Sequence, residues 1–117
     1  MEINFIDLER QQQEIEKEIN EAISRVLKAG QYIMGQECSD LEQQLSEYTG
    51  RKYCLLCANG TDAIRLALIA LKVKKGDLVL TTDFTFFATS EVIAELGAIP
   101  IFVDIDDTYN ICPLDLE

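Results

Sequence analysis

The order of the elements predicted along this sequence indicates an α/β fold with a mostly parallel sheet and flanking helices. Two helical segments come first, and three short apolar segments typical of strands then alternate with helices. No hairpin turn signal joins two of the strands, so helical crossovers have to connect them. The predicted helices span residues 8–29, 36–48, 63–71 and 90–96, the predicted strands span 53–57, 78–80 and 100–105, and a last helix starts at Pro113.

The first helix has the clearest pattern in the chain. Its apolar residues, among them Ile15, Ile19 and Ile23, recur at spacings of three and four, which is typical of a helix with one apolar face. Acidic residues lie near its start and basic residues near its end, as the helix dipole favours. Gly30 follows directly and is expected to end the helix.

Apolar side chains lie both on the second helix and on the connection before it. Gly50 is expected to end this helix. Tyr32 and Met34 lie on the connection, where they either pack in the core, line a ligand pocket or contact a partner subunit. The stripe predicted to be buried along the helix consists of Cys38, Leu41, Leu45 and Tyr48.

The stretch from Tyr53 to Ile64 organises the chain around it. Its apolar run over 53–57 predicts a buried strand, and Gly60 allows a tight turn before a helix that Thr61 and Asp62 can cap. Free N–H groups at a helix start, with about half a positive charge, suit a phosphate. An ordinary capped turn explains the same residues. Spacing alone favours that ordinary turn, because the stretch has neither GxGxxG nor a Walker lysine.

Three phenylalanines, Phe84, Phe86 and Phe87, follow the predicted strand over 78–80. Loops are normally polar, so this loop needs an explanation. The rings either fill the core or form an aromatic face for a planar ligand, since α/β sheets bind ligands at the C-terminal ends of their strands.

Composition and charge limit the class of protein. A chain of 117 residues that is 48% apolar and 26% charged is typical of one globular domain with a modest core, and we expect residues 1–117 to form a single partial domain. The formal net charge of -11 argues against nucleic acid or an acidic membrane as a partner. No run approaches the ~20 apolar residues of a membrane span, and the start does not resemble a signal peptide. We therefore expect a cytoplasmic protein.

The four cysteines and the absence of histidine limit the chemistry further. Cys54 and Cys57 form a C-x-x-C, but a strand would place them on opposite faces, and no second pair or histidine completes a zinc site. We expect no metal, and buried free thiols in a reducing compartment. Without histidine the chain lacks the commonest general base and any Ser–His or Cys–His arrangement.

Several stretches stand in the order and spacing of the DegT/StrS sugar aminotransferases, and the chain resembles this family over nearly its whole length. These enzymes use pyridoxal phosphate (PLP) on the fold type I, aspartate aminotransferase-like scaffold, and they aminate nucleotide-linked keto-sugars, usually with glutamate as donor. The opening segments are most similar to members that act on UDP-linked 3-keto hexuronic acids for surface polysaccharide. The matching stretches are residues 5–8, 30–35, 58–63, 85–89 and 97–105.

The resemblance implies a cofactor site. Gly60, Thr61 and Asp62 would bind the PLP phosphate through backbone amides and the threonine hydroxyl, and Phe86 would stack on the pyridine ring. A phosphate site and an aromatic platform are what a phosphorylated planar cofactor needs. The residues that the resemblance places near the substrate are Tyr32, Met34, Thr89 and Glu91.

The resemblance also implies that the catalytic machinery is incomplete. The family's Schiff-base lysine and the acidic partner of the pyridine nitrogen match positions beyond Glu117, so this chain corresponds to the N-terminal part of the large domain and is expected to be inactive alone. The family's first strand pairs with a late strand that is likewise further downstream, which leaves 53–57 without its neighbour. Its partners would be the remainder of the polypeptide and a second copy in a homodimer. The alternative is a non-catalytic α/β binding or assembly module retained from a truncated aminotransferase.

Overall fold

The computed structural model describes residues 5–116, and the chain divides into two units, Met1–Leu56 and Cys57–Glu117. The first unit contains α1 (Leu8–Ala29) and α2 (Gln36–Thr49). Helix α1 has the predicted bounds, and α2 ends one residue later than predicted. That the whole chain forms a single partial domain stays a prediction. The second unit contains α3 (Gly60–Ala70), β1 (Leu78–Thr82), α4 (Ala88–Glu95), β2 (Ile99–Val103) and a 3-10 helix, Pro113–Leu116.

Both ends of α1 follow from its sequence. The Asp7 side chain caps the start, where its Oδ1 accepts a hydrogen bond of 3.1 Å from the Arg10 N–H. Gly30 ends the helix at φ +68°, in the left-handed region that glycine adopts without steric cost. The Gly30 N–H donates to the Val26 carbonyl at 2.9 Å. No helix within residues 5–116 is both long and apolar enough to cross a membrane.

The stripe predicted to be buried along α2 is largely exposed, so that prediction is wrong. Tyr48 is 89% exposed and Leu41 is 45% exposed. A helix buries only the side that another element covers, and the segment after α2 returns along a different side. There the Leu56 N–H donates to Glu42 Oε1 at 2.9 Å. The other two predicted members are Cys38, which is exposed, and Leu45, which is half-buried.

The second unit is a strand–helix–strand arrangement with a parallel sheet, as predicted. Strands β1 and β2 pair in parallel with a register from Leu78↔Ile99 to Thr82↔Val103, and α4 connects them and packs against both. The fully buried Val92 lies on α4. The other buried apolar residues of the described chain are Ala88, Ile93, Ala98 and Val103, so the core lies where α4 meets the sheet.

The strand predicted over 53–57 does not form, and that prediction is wrong for the part of the chain that the structure describes. The segment pairs with neither β1 nor β2, and it takes part in no backbone–backbone hydrogen bond. Tyr53 is 75% exposed and Leu55 86% exposed. An apolar run indicates that side chains favour burial, but a strand also needs a neighbour whose carbonyl and N–H groups pair with its own.

The thiols are free, as predicted, but none is buried. Cys38 and Cys57 are exposed, and Cys54 and Cys112 are half-buried. The Cys57 thiol donates to the Asn59 carbonyl at 3.2 Å, just before α3 begins. Because no strand forms here, the expected placement of Cys54 and Cys57 on opposite sheet faces does not apply.

Candidate functional site

Asn59 caps the N-terminus of α3. Its backbone is extended, with φ at −166°, and its Oδ1 accepts a 2.9 Å hydrogen bond from the Asp62 N–H. The Asn59 carbonyl accepts the Ala63 N–H at 3.1 Å. The prediction that Thr61 and Asp62 cap this helix is therefore wrong. An N-cap residue keeps a non-helical backbone, whereas these two residues are already inside the first turn.

Two amides at this helix start are left without an acceptor. Because Asn59 engages the Asp62 and Ala63 N–H groups, those of Gly60 and Thr61 have no hydrogen-bond acceptor among residues 5–116. The half-buried Thr61 adds its hydroxyl at the same end of the helix. Free N–H groups and the positive end of the helix dipole together suit an anion, phosphate included.

Gly60 leaves open space beside these amides. Its φ is not in the left-handed region, and no heavy atom lies within 4 Å of the position that a Cβ would take. The backbone therefore does not require glycine for the turn, contrary to the reason predicted from sequence. The vacant side of Gly60 instead allows a ligand group to approach the two amides closely, which fits a phosphate.

The Asp62 carboxylate is held by charged and polar neighbours. Its Oδ1 accepts from the Arg65 guanidinium, and its Oδ2 accepts from Asn59 Nδ2 at 3.2 Å. Arg65 also donates from Nε and Nη2 to Glu95 Oε2, at 3.0 and 2.6 Å, so it joins α3 to the end of α4. The hydrogen bond to Glu95 is the main cause that raises the pKa of Arg65.

The three aromatic rings after β1 are exposed. Phe84, Phe86 and Phe87 are 62%, 79% and 69% exposed, so they do not fill the core of the described chain. A cavity of about 300 Å³ lies here and is lined by residues of β1, the loop, α4 and β2. Its lining includes Thr82, Thr85, Phe86, Phe87, Ser90 and Phe102.

Hydrogen bonds fix the backbone that presents Phe86. Thr82 Oγ1 accepts the Phe84 N–H at 3.1 Å, and the Phe86 carbonyl accepts the Thr89 N–H at 3.1 Å where α4 begins. The hydroxyls of Thr85 and Thr89 lie 3.3 Å apart. The loop is therefore tied at both ends, while the Phe86 ring remains accessible to a ligand.

The four residues predicted to lie near a substrate fall in both units. Thr89 is half-buried beside Thr85, and Glu91 is exposed in the first turn of α4. Tyr32 and Met34 belong to the first unit and are 68% and 79% exposed. Met34 has a φ of +48°, a strained conformation for this side chain. A role in substrate binding stays a prediction for all four.

Sequence reasoning missed Asn59 and Arg65, although both leave a signal. An asparagine three residues before an aspartate at a helix start is typical of a side-chain cap. An arginine three residues after that aspartate can pair with it on the helix surface. The charge partner Glu95 is 30 residues away along the chain and could only be found from the fold.

A parallel α/β unit with an anion-suited helix start and an exposed aromatic loop has the two features that a phosphorylated planar ligand needs. Residues 13–117 match the DegT/DnrJ/EryC1/StrS aminotransferase family. The chain belongs to this family, as its resemblance predicted.

The relatives are longer than this chain. The UDP-2-acetamido-2-deoxy-3-oxo-D-glucuronate aminotransferase of Pseudomonas aeruginosa is 52% identical over 116 residues, which cover 98% of this chain and 32% of the relative. A DegT/DnrJ/EryC1/StrS aminotransferase structure from Brucella abortus superimposes with a TM-score of 0.91 at 45% identity, over 95% of this chain and 30% of that one. The chain thus spans about a third of the length of these proteins.

A third relative concerns the cofactor. NtdA from Bacillus subtilis, solved with its cofactor PMP bound, superimposes with a TM-score of 0.81 at 29% identity, over 96% of this chain and 28% of that one. PMP is the aminated form of PLP, and PLP is the cofactor of the aminotransferases to which this chain belongs. The free amides of Gly60 and Thr61 and the exposed ring of Phe86 fit the phosphate and the planar ring of such a molecule.

Proposed function

We propose that this chain is the N-terminal segment of a PLP-dependent aminotransferase that transfers an amino group to a nucleotide-linked keto-sugar. The observation that carries the proposal is the 52% identity to a relative that acts on a UDP-linked 3-oxo-glucuronate. We extend it to a UDP-linked 3-keto hexuronic acid as substrate and glutamate as donor, with a product for amino-sugar and surface polysaccharide synthesis. The complete enzyme would be a cytoplasmic homodimer with no nucleic-acid or membrane partner.

The residues of this chain would bind and orient the cofactor. The Gly60 and Thr61 amides and the Thr61 hydroxyl would hold its phosphate, and the Phe86 ring would stack on its pyridine face. Asp62 lies beside the phosphate site, but its own amide is already bonded to Asn59. When bound, PLP supplies the electron sink that amino-group transfer needs. Tyr32, Met34, Thr89 and Glu91 would contact the substrate.

The amine and the pyridine-nitrogen acid of the reaction would come from the remainder of the enzyme. Lys74 and Lys75 lie just before β1, whereas the Phe86 loop follows it. Since β1 has five residues, about 13 Å separate the Cα atoms at its two ends. Lys72 also precedes β1, and neither these three lysines nor Lys17, Lys28 and Lys52 match the Schiff-base position of the family, which the resemblance places beyond Glu117. We therefore assign no catalytic residue to this chain.

The experiment is a coupled assay of the purified complete enzyme. With PLP, glutamate and a UDP-linked 3-keto hexuronic acid, we expect 2-oxoglutarate to form in proportion to the aminated sugar. A UDP-linked 4-keto sugar serves as the matched control substrate and should react more slowly. Residues 1–117 expressed alone should form no 2-oxoglutarate, because covalent catalysis requires a positioned lysine amine. If the natural product has an intact mass of only 117 residues and binds no PLP, the non-catalytic module is the correct function.

A further inference from the structure

Arg65 lies between two carboxylates at the edge of the proposed phosphate site. It pairs with Asp62, in the first turn of α3, and with Glu95 at the end of α4. Its side chain is only 33% exposed, so solvent screens its charge less than that of a fully exposed arginine. The pairing with Glu95 uses two N–H groups and fixes the orientation of the guanidinium.

Asp62 poses an electrostatic problem for a phosphate at this helix start. Its ionised carboxylate follows directly after Thr61, and like charges at short range repel. A carboxylate in the first turn also competes with a bound anion for the positive end of the helix dipole. An unpaired Asp62 would therefore weaken the binding of a dianionic phosphate to the Gly60 and Thr61 amides.

We propose that Arg65 is a positioning residue for the cofactor phosphate, because it neutralises the Asp62 carboxylate and holds it away from the free amides. This inference rests on the proposed function. Both Asp62 oxygens are engaged, one by Arg65 and the other by Asn59 Nδ2, so the carboxylate does not accept from Gly60 or Thr61. Removing the Arg65 guanidinium would release Asp62 Oδ1 from its hydrogen bond. The negative charge of Asp62 would then be uncompensated next to the phosphate.

The test compares PLP with pyridoxal, which lacks the phosphate, in the complete enzyme. Arg65→Met keeps the apolar stem and removes the charge. We expect it to raise the dissociation constant of PLP about two- to fivefold, with a smaller change for pyridoxal. Adding Asp62→Asn in the same chain removes the repulsive charge and should restore most of the PLP affinity. Cofactor absorbance after equilibrium titration gives both constants without any measurement of turnover.

A merely structural role gives a different pattern. If Arg65 only ties α3 to α4, then Arg65→Met weakens PLP and pyridoxal equally, and Asp62→Asn gives no rescue. Either result overturns the inference. Thr61→Ala separates it from the proposed function. A selective loss of PLP affinity in Thr61→Ala but not in Arg65→Met rejects the role of Arg65 alone, whereas no selective loss in either rejects the phosphate site as well.

Discussion

The rings of Phe84 and Tyr109 stack with their centroids 5.6 Å apart and their planes inclined by 27°. Tyr109 is held at φ +63°, and its N–H donates to the Asp106 carbonyl at 2.9 Å. The stack joins the turn after β2 to the loop after β1. That loop also carries Phe86, two residues further on, so the stack helps to fix the backbone that presents the proposed cofactor platform.

Tyr109→Leu is expected to loosen this loop. The variant keeps an apolar side chain but removes the ring, and aromatic pairs contribute about 0.5–1.5 kcal/mol. Since both rings are more than 60% exposed, we expect a loss near the lower end of that range. Tyr109→Phe keeps the ring and should match the wild type. Thermal unfolding of the complete enzyme measures both variants, and an equal loss in Tyr109→Phe would assign the effect to the hydroxyl instead.

Phe86→Ala is expected to weaken cofactor retention in the complete enzyme. The lost contact area and ring–ring attraction correspond to roughly one to a few kcal/mol. Phe86→Tyr and Phe86→Trp keep an aromatic face and should have mild effects. Dialysis followed by cofactor absorbance gives the retained fraction. The platform role is rejected if Phe86→Ala lowers the melting temperature by the same amount with and without PLP.

Substitutions at the start of α3 are expected to act through the phosphate. Thr61→Ala removes one charge-assisted hydrogen bond, about 1.5–3 kcal/mol, which is roughly a tenfold to hundredfold rise in the PLP dissociation constant. Gly60→Val places a side chain in the open space beside the amides and should cost more. Titration with pyridoxal is the control, because it lacks the phosphate. Equal losses for PLP and pyridoxal would place the phosphate elsewhere.

We expect Asp106 to make the stability of the second unit depend on pH. Its carboxylate accepts from the Thr108 hydroxyl and, at 2.8 Å, from the Thr108 N–H, and these bonds lower its pKa below the ordinary value of 3.8. Because the folded pKa is the lower one, the stabilisation is complete above the unfolded pKa and is lost as pH falls through the folded pKa.

Asp106→Asn is the variant that tests this pH dependence. It should be less stable than the wild type at neutral pH, and the difference should shrink below about pH 4. Asp107→Asn is the matched control, since Asp107 is the exposed neighbour in the same turn. Denaturant unfolding at several pH values gives the two differences. A gap between wild type and Asp106→Asn that is the same at pH 6 and pH 3 would contradict the assignment.

The elements that sequence could predict are those whose signals are local. The bounds of α1 follow from its apolar period and from Gly30, and the β1–α4–β2 unit follows from two short strands around one helix. The failure over Tyr53–Cys57 has the opposite cause. Its apolar side chains are readable in the sequence, but strand formation depends on a neighbour that no residue within the run specifies.

The candidate site shows the same division. The sequence shows a hydroxyl at Thr61 and an aromatic ring at Phe86, and the family resemblance assigns both residues to one cofactor site. The sequence does not identify the N-cap of α3. Thr61 and Asp62 are as suitable as Asn59 until the backbone shows which residue is extended. The Arg65–Glu95 pair depends on the packing of α3 beside α4, which no local pattern encodes.

The open space at Gly60 has a consequence for directed evolution of the enzyme. An alanine there would meet no neighbouring atom and would reduce the freedom of the unfolded chain, which favours the folded state by about 0.4–1 kcal/mol. A variant library screened for heat resistance of the cofactor-free protein would therefore enrich larger residues at this position and weaken cofactor binding, because bound cofactor adds no stability in such a screen. Selection for heat resistance favours a larger residue at position 60, whereas selection for turnover favours glycine there.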